Sequence, residues 1–218
     1  MLNVIELLEI LGVPCINSFH AIYNCRNKAR AGFLLSQADI AVPRSLFLGE
    51  GNEYQSLLPS FGDPPWVLKL SQGCYGQGVM KIDSRESLSS VVDCVRLQAS
   101  ELILQEFIAE AKGSDIRAFV LQGNLVAAVR RCASKGDFRS NLHQGGTPEK
   151  VELSPEFQVV AEKAAQQLGL EIAGVDILES TRGPLVLEVN SSPGITGIEK
   201  VSGRNLIAEL SDFIESKL

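Results

Sequence analysis

The sequence has few cysteines, few aromatic residues, two histidines and no long apolar run. Its five cysteines are an odd number and form no CxxC pair, so neither a zinc site nor a disulfide framework is predicted. A reducing, cytoplasmic compartment is therefore the expectation. No apolar stretch approaches the ~20 residues that span a bilayer, and no basic segment precedes the first apolar residues. We expect no signal peptide and no membrane association.

Basic residues are outnumbered by acidic ones, and the net charge of −6 argues against a large surface for a nucleic-acid backbone. No nucleic-acid partner is therefore predicted. The bulk charge does not exclude a local basic pocket, which is all that a nucleotide site requires. With 218 residues and 45% hydrophobic content, the chain is long enough for a two-lobed globular domain.

The spacing of apolar residues predicts both helices and strands. The first eleven positions follow the pattern of an amphipathic helix that ends at Gly12. We expect further helices over about 24–37, from Pro155 to Gly169 and over about 205–216. Another helix is expected to begin at a capping box formed by Asp83 and Glu86. The segment 49–65 is predicted to be a loop. Strands joined by hairpins, one turning at Gln122-Gly123, alternate with these helices, so the predicted fold is α+β with two lobes.

Two late strands, IAGVDILE and PLVLEVN, flank the turn-forming segment at 180–184. If this hairpin is symmetric about Arg182, Asp176 lies opposite Glu188. Because side chains alternate along a strand, Asn190 lies on the same face. The hairpin therefore predicts two facing carboxylates at roughly 5 Å with an amide beside them.

Like charges in this position destabilise a sheet, and a shared divalent cation removes the conflict. Carboxylate and amide oxygens suit Mg²⁺ held jointly with nucleotide phosphates. The same register places Val186 on this face, and Leu185 and Leu187 on the opposite, apolar face. Two alternatives stay open from the hairpin alone: a solvated acid in a register shifted by one residue, and a hydrolase with paired carboxylates.

Lys69 lies inside the apolar strand WVLKL, where an unpaired ammonium group costs several kcal/mol. Lys69 must therefore reach solvent or meet an anion. The glycine-rich segment SQGCYGQG follows directly at 71–78 and could let backbone N–H groups approach phosphates. Its spacing matches neither the Walker pattern nor GxGxxG. Arg130, Arg131 and Arg139 belong to a basic cluster that is either a solvated loop or the partner of an anionic intermediate.

These elements occur in a fixed order: VLKL with the glycine loop, QEFI, GSDIRAFV, GDFRSNLHQGG, AGVDIL and LEVNSSPGITGIE. In this order they resemble the ATP-grasp ligases of the RimK type. The similarity extends from about Tyr23 to the C-terminus. It is strongest to the branch that adds glutamate to the C-terminus of a small-subunit ribosomal protein. The most specific segments are FRSNLHQGG and EVNSSPG.

The resemblance implies an ATP-grasp fold, with ATP between two α+β lobes, and roles for individual residues. It implies phosphate contacts by Lys28 and Lys69, adenine contacts by Glu106, Phe107 and Ile108, a ribose-side contact by Asp115, nucleotide and acyl-phosphate contacts by Arg139, Ser140 and Asn141, and ligation of two Mg²⁺ or Mn²⁺ ions by Asp176, Glu188 and Asn190. Arg131 and Arg139 are the catalytic candidates, because their charge could stabilise the phosphate and the oxyanion.

The reaction implied by the resemblance is ATP-dependent ligation through an acyl phosphate. The expected partners are ATP, L-glutamate and a carboxylate acceptor, which is a protein or peptide C-terminus. Alternatively, the acceptor is a small pterin or deazaflavin, or the chain is a non-catalytic ATP-binding module. Formation of a homo-oligomer is left open.

The resemblance also implies a domain division. Residues 1–22 are expected to be the remnant of an N-terminal domain, residues 23–109 the small lobe, and residues 110–218 the large lobe with the metal site. Members of the family usually carry roughly a hundred residues before the two lobes. Here about twenty precede them, so the chain is expected to be either a natural short form or a truncated one.

Overall fold

The structure, a computed structural model, describes residues 2–49, 51–71, 78–96, 101–134, 137–140 and 146–217. Helices and antiparallel strands are interleaved along these segments, which confirms the predicted α+β class. The helices are α1 Leu2–Ile10, α2 Phe19–Arg26, α3 Lys28–Gln37, α4 Tyr54–Phe61, α5 Arg85–Arg96, α6 Pro155–Gln167, α7 Thr196–Ser202 and α8 Leu206–Glu215. The strands are β1 Ser45–Leu48, β2 Trp66–Leu70, β3 Val79–Ile82, β4 Leu102–Glu106, β5 Ser114–Leu121, β6 Asn124–Cys132, β7 Thr147–Lys150, β8 Ile172–Ser180 and β9 Gly183–Asn190.

The small lobe is a sheet in the order β1-β4-β2-β3, with α4 and α5 packed on one face. Trp66 and Leu68 of β2 point into this core, as the alternation of the strand requires. The opposite face carries a row of register partners, Phe47 on β1, Ile103 on β4 and Lys69 on β2. Lys69 therefore points away from the small-lobe core and towards the second lobe.

Two predictions for the small lobe were wrong. The segment expected to be a loop contains α4, and Leu58 and Phe61 on one face of this helix are buried against the sheet. Its glycines and prolines flank the helix or, as at Pro59, lie within it. The cap of α5 is also shifted by one residue. Ser84 and Ser87, rather than Asp83 and Glu86, each accept a hydrogen bond from the other's backbone N–H, at 3.1 and 3.3 Å.

The large lobe is a sheet in the order β7-β6-β5-β8-β9. Helix α6 covers one face together with α2 and α3, and α7 and α8 cover one end of the other face. The helix expected over 24–37 is two helices, because the side chain of Asn27 accepts a hydrogen bond from the N–H of Arg30 and starts α3 there. The domain limits stay a prediction, although the buried residues of α2 and α3 lie with the large sheet.

The β8–β9 hairpin pairs Asp176 with Glu188, as predicted, but by a different route. Ser180 pairs with Gly183, so the turn has two residues, and a bulge next to Asp176 absorbs Leu187 and restores the register. The predicted faces of Leu185, Val186 and Leu187 on β9 were therefore wrong, whereas those of Ile177 and Leu178 on β8 are confirmed. Val186 points into the large-lobe core. Leu185 packs with Leu178 on the opposite face of the sheet, and Leu187 lines a cavity between the two lobes.

The N-terminal segment is fastened to the large lobe by Asn17. Its side-chain oxygen accepts from the N–H groups of Glu171 and Ile172 at 2.7 and 2.9 Å. Its nitrogen donates to the carbonyl groups of Ile172 and Ser191 at 2.7 and 2.9 Å. Helix α1 forms as predicted. None of the helices in the described part of the chain is long and apolar enough to cross a membrane.

Candidate functional site

Four strands of the large sheet bring charged side chains onto one face. Asp115 on β5 pairs in register with Arg131 on β6. Two residues further along β5, Arg117 pairs with Asp176 on β8, which in turn pairs with Glu188 on β9. We call these five residues the charged cluster. Their side chains share a face because register partners and alternate residues of a sheet do so.

Asp176 is the most enclosed member of the charged cluster, with 1% of its surface exposed. Its carboxylate accepts hydrogen bonds from Nε and Nη2 of Arg117, the latter at 2.7 Å, and lies 2.9 Å from Nη2 of Arg131. Burial opposes ionisation, but the two guanidinium groups outweigh it and hold the pKa of Asp176 below its usual range. Asp176 is therefore an anion in a cationic setting.

This arrangement corrects one step of the sequence argument. Asp176 is balanced by arginines, and Glu188 lies 3.5 Å from Nζ of Lys28. The like-charge conflict between the two carboxylates is thus relieved by the chain's own cations. The carboxylate pairing alone does not require a metal, and the metal assignment stays a prediction.

The side-chain oxygens of Asp176, Glu188 and Asn190 are nevertheless of the kind that binds a hard divalent cation. Glu188 is partly exposed, and the Asn190 amide lies 3.5 Å from Asp176 and 3.4 Å from Glu188. Exchange of the Asn190 amide oxygen and nitrogen would present three oxygen ligands to one point. Among the residues that the structure describes, no group of three or more His, Cys, Asp or Glu could hold a metal. A cation here would need Asn190 and further oxygens from a ligand.

Arg131 joins the two halves of the charged cluster. Its Nε donates to Asp115 at 2.6 Å, and its Nη2 reaches both Asp115 and Asp176. Although Arg131 is buried, these carboxylates raise its pKa. The pKa of Asp115 is raised by burial and by the neighbouring Asp176, against the pull of Arg131 and a hydrogen bond with Ser140. Arg131 is a fixed positive charge at the floor of the cavity.

Lys69 and Lys28 approach the charged cluster from two elements. Lys69 is buried, with 9% of its surface exposed. Its Nζ donates a hydrogen bond to the side-chain oxygen of Gln105 at 2.6 Å. It therefore meets a neutral amide rather than a carboxylate. Burial lowers the pKa of Lys69 to about 8. Lys28 is the first residue of α3 and lies beside Glu188. Both lysines line the same cavity as Asp176.

The strand end predicted to hold adenine forms the apolar part of this cavity. Phe107 packs edge-on to Phe138 with ring centroids 6.1 Å apart, and Ile108 is buried. The Glu106 carboxylate accepts from the N–H of Arg44 at 2.7 Å and from Nη2 of Arg182 at 2.6 Å. The adenine-edge residues are therefore held between the small lobe and the β8–β9 turn.

We call this space between the lobes the inner cavity. Its walls contain residues of both lobes and all but two of the residues predicted for the site. It is lined by Lys28, Lys69, Glu106, Phe107, Ile108, Asp115, Arg131, Arg139, Ser140, Asp176 and Glu188, and also by Val67, Leu70 and Leu187. Asn190 lines the adjoining cleft. Asn141 lies outside the described residues, as does most of the predicted glycine-rich loop.

Arg139, one of the two catalytic candidates, folds back onto Asp137. Its Nη2 lies 2.9 Å from that carboxylate, and its N–H donates to it at 2.9 Å. The Arg139 side chain holds the pKa of Asp137 down to about 2. Arg139 still lines the inner cavity, and Ser140 beside it is buried. A ligand that recruits Arg139 must compete with Asp137 for it.

Two residues of the site, Arg117 and Gln105, were not among the predicted site residues. Arg117 forms a two-point ion pair with Asp176, and Gln105 accepts the hydrogen bond of Lys69. The alternation of the strand places Arg117 on the same face as Asp115, but the sequence did not indicate Asp176 as its partner. Gln105 gave no such signal, since its partner is on another strand.

Comparison with protein families and curated sequences identifies relatives along the whole chain. The sequence model of the RimK-like ATP-grasp domain matches residues 25–214. A probable alpha-L-glutamate ligase of Cellvibrio japonicus is 42% identical over 214 residues, which are 98% of this chain and 71% of that protein. A second, from Aliivibrio fischeri, is 43% identical over 212 residues, or 97% of this chain and 70% of that protein.

Solved structures with the same fold include two ligases. The ATP-grasp ligase PsnB, complexed with its minimal precursor, superposes with a TM-score of 0.77 and 26% identity, covering 100% of this chain and 69% of that one. D-alanine–D-alanine ligase from Bacillus anthracis superposes with a TM-score of 0.73 over 88% of this chain and 66% of that one. At 24% identity, the second comparison supports the fold alone.

Proposed function

Since the chain belongs to the RimK-like ATP-grasp family and is an ATP-dependent carboxylate–amine ligase, we propose that it joins L-glutamate to the C-terminal carboxylate of a peptide or protein. The observation that carries this proposal is the meeting of Lys28 and Lys69 with Asp176 and Glu188 between the two lobes. The relatives named as glutamate ligases support the amine substrate. A structure of PsnB complexed with a precursor peptide supports a peptide acceptor.

The proposed reaction has two steps. An oxygen of the acceptor carboxylate attacks the γ-phosphorus of ATP, the bond to the β,γ-bridging oxygen breaks, and ADP leaves. The amine of glutamate then attacks the carbonyl carbon of the acyl phosphate. The bond from this carbon to the phosphate oxygen breaks, inorganic phosphate leaves, and the nitrogen loses a proton. No protein nucleophile is needed, so catalysis depends on positioning and electrostatics.

The cationic side chains of the inner cavity have distinct proposed roles. Lys28 and Lys69 bind the nucleotide phosphates, and Arg131 stabilises charge that develops at the acyl phosphate, where it is held in place by Asp115. Arg139 leaves Asp137 to contact the transferred phosphate. Arg131, which is fixed by Asp115 and Asp176, needs little reorganisation during the reaction, which is the condition for effective electrostatic stabilisation, whereas Arg139 must first break its pair with Asp137.

The remaining proposed contacts surround the nucleotide. Asp176, Glu188 and Asn190 would hold Mg²⁺ or Mn²⁺, proposed to be two ions, which would neutralise phosphate charge. The strand end at 106–108 borders the adenine. The proposed ribose-side contact is Asp115, and Ser140 and Asn141 are proposed to touch the nucleotide.

Measurement of ADP release tests the proposal. With ATP and Mg²⁺, release should rise at least tenfold when both L-glutamate and peptides with free C-termini are added, and mass spectrometry should find products heavier by one or more glutamyl residues. Stimulation by pterin or deazaflavin carboxylates instead would contradict the peptide acceptor. ATP binding without turnover with any acceptor would indicate a binding module. Phosphate release that is independent of an amine would indicate a hydrolase.

A further inference from the structure

A cleft, which we call the outer cleft, opens from the inner cavity and carries exposed apolar side chains. Its volume is about 1520 Å³. Lys28, Lys69 and Glu188 line both spaces, so the outer cleft reaches the phosphate end of the inner cavity. Small-molecule sites usually occupy about 300–1,000 Å³. The outer cleft is larger than a compact cofactor needs and has room for a segment of polypeptide.

Four of the described residues that line the outer cleft have large exposed hydrophobic side chains. One of them, Tyr23, stacks with Phe19 and lies under the guanidinium group of Arg30, and the other three are aliphatic or phenyl side chains. Phe33 on α3 is 59% exposed, Phe47 on β1 49% and Leu57 on α4 47%. None of them lines the inner cavity, so none has a place in nucleotide binding. They come from both sides of the outer cleft, since α3 packs with the large sheet whereas β1 and α4 belong to the small lobe. We call them the apolar wall. Exposed apolar residues that are scattered singly are normal, but these three line one cleft, and clefts lined by apolar side chains are common binding sites.

The strand register gives the distance from the apolar wall to the phosphate-binding lysine. Phe47, Ile103 and Lys69 are partners in one row across three adjacent strands. Strands are about 4.8 Å apart, so Phe47 lies roughly 10 Å from Lys69 along the face of the sheet. An extended peptide rises about 3.3 Å per residue. A chain whose C-terminal carboxylate lies against the phosphate held by Lys69 therefore brings its residue about three positions upstream to Phe47.

We propose that the apolar wall is a subsite for a large apolar side chain of the peptide acceptor, about three residues before its C-terminus. The proposal rests on the peptide-ligase function above and specifies its substrate class. The carboxylate enters the cationic end of the outer cleft, and the upstream side chain is buried between Phe33 and Phe47. Removal of this apolar surface from water supplies selectivity that the phosphate end cannot provide.

The test uses decapeptides with free C-termini that carry Leu or Ser three residues before the end. The Leu peptide should have a kcat/KM about 10-fold higher, as expected for partial burial of one leucine side chain. The double variant Phe33→Ser/Phe47→Ser should remove this preference and leave the KM for ATP unchanged. Ile207→Ser on α8, where Ile207 is 60% exposed and outside the outer cleft, is the matched control and should keep the preference.

Binding of fluorescently labelled peptides to the 218-residue chain, with a non-hydrolysable ATP analogue present, is measured in parallel by anisotropy. This readout tests the subsite even if no acceptor is turned over. Equal binding of the Leu and Ser peptides would overturn the subsite, and so would a preference that survives in the double variant. Ligation of glutamate that is indifferent to the upstream residue would overturn the subsite alone. Glutamylation only of pterin-type carboxylates would overturn both proposals.

Discussion

Lys69 is buried beside a neutral amide, and its pKa is lowered to about 8. A neutral amine attracts phosphate less than an ammonium group does. The attraction is therefore complete below pH 8 and is lost as the pH rises through this value. We expect the Kd for an ATP analogue to increase about tenfold between pH 7 and pH 9.5. Calorimetric titration across this range measures the change.

The variant Lys69→Met is the control for this pH dependence. It should bind the analogue weakly at every pH, with a flat profile between pH 7 and pH 9.5. A profile in the variant as steep as that of the unchanged chain would assign the titration to another group. The same pKa makes the ligand-free fold less stable below pH 8 than above it, because the unfolded chain binds the proton more readily between pH 8 and 10.5.

Glu188 is a proposed metal ligand that is not essential for packing, since its side chain is partly exposed and paired with Lys28. Glu188→Gln should lower metal-supported ADP formation about 100-fold or more, because loss of even an outer-shell partner of a metal typically costs 10–100-fold. The unfolding midpoint in urea should change little. Retention of full activity would contradict the proposed site.

Arg117 belongs to a network of paired charges that joins strands β5, β6 and β8. Its removal is therefore expected to destabilise the large sheet. Arg117→Leu leaves the buried carboxylate of Asp176 with Arg131 as its remaining ion-pair partner among the described residues. We expect the free energy of unfolding to fall by about 3–5 kcal/mol, the cost of breaking a buried pair. Urea denaturation measures this change.

Arg204 offers a matched control on the surface. Its guanidinium group makes the same two-point contact, with Glu209 at 2.9 Å, but the pair is exposed. Arg204→Leu should cost about 1 kcal/mol or less. Similar losses in both variants would show that burial of Asp176 does not determine the energy of the network.

The elements of the site could be predicted from sequence to different extents. Alternation placed Asp176, Glu188 and Asn190 on one face, because a period of two is a strong constraint on a strand. The bulge at Leu187 could not be predicted. In a bulge two residues of one strand oppose a single residue of the partner strand, so its position depends on the pairing of the strands and not on the neighbouring residues in sequence. Helix α4 was missed because its flanking glycines and prolines favoured a loop, whereas burial of one apolar face stabilises the helix.

At the scale of the whole molecule, the two lobes contact each other at the β8–β9 turn. Arg182 at the β8–β9 turn of the large lobe donates to Glu106 at the end of β4 in the small lobe, at 2.6 Å. Because the Arg182 side chain is about half exposed, the ion pair is weak. Arg182→Ala should raise the KM for ATP about two- to fivefold, the equivalent of an exposed ion pair, and leave the unfolding free energy nearly unchanged.

Steady-state kinetics of Arg182→Ala and Arg85→Ala would separate the effect of losing the contact between the lobes from the effect of losing any exposed ion pair. Arg85 pairs with Asp63 at 3.2 Å within the small lobe, so this control loses a similar exposed pair without affecting the lobe contact. An equal change of KM in both variants would exclude a specific effect of the pair between lobes. Such long-range contacts were beyond sequence reasoning, because nothing near Arg182 in the chain indicates Glu106.

Asn17 has a consequence for how the chain is made. Its side chain binds backbone groups 155 and 174 positions further along. During translation the last of these groups, the carbonyl of Ser191, does not exist until 174 further residues have followed Asn17. Because the N-terminal part of a chain emerges first, α2 and α3 must wait with their apolar faces uncovered until the strands that cover them have been made. The large lobe therefore completes its core only after β9 has been added, and the nascent chain is exposed to aggregation and to chaperones until then.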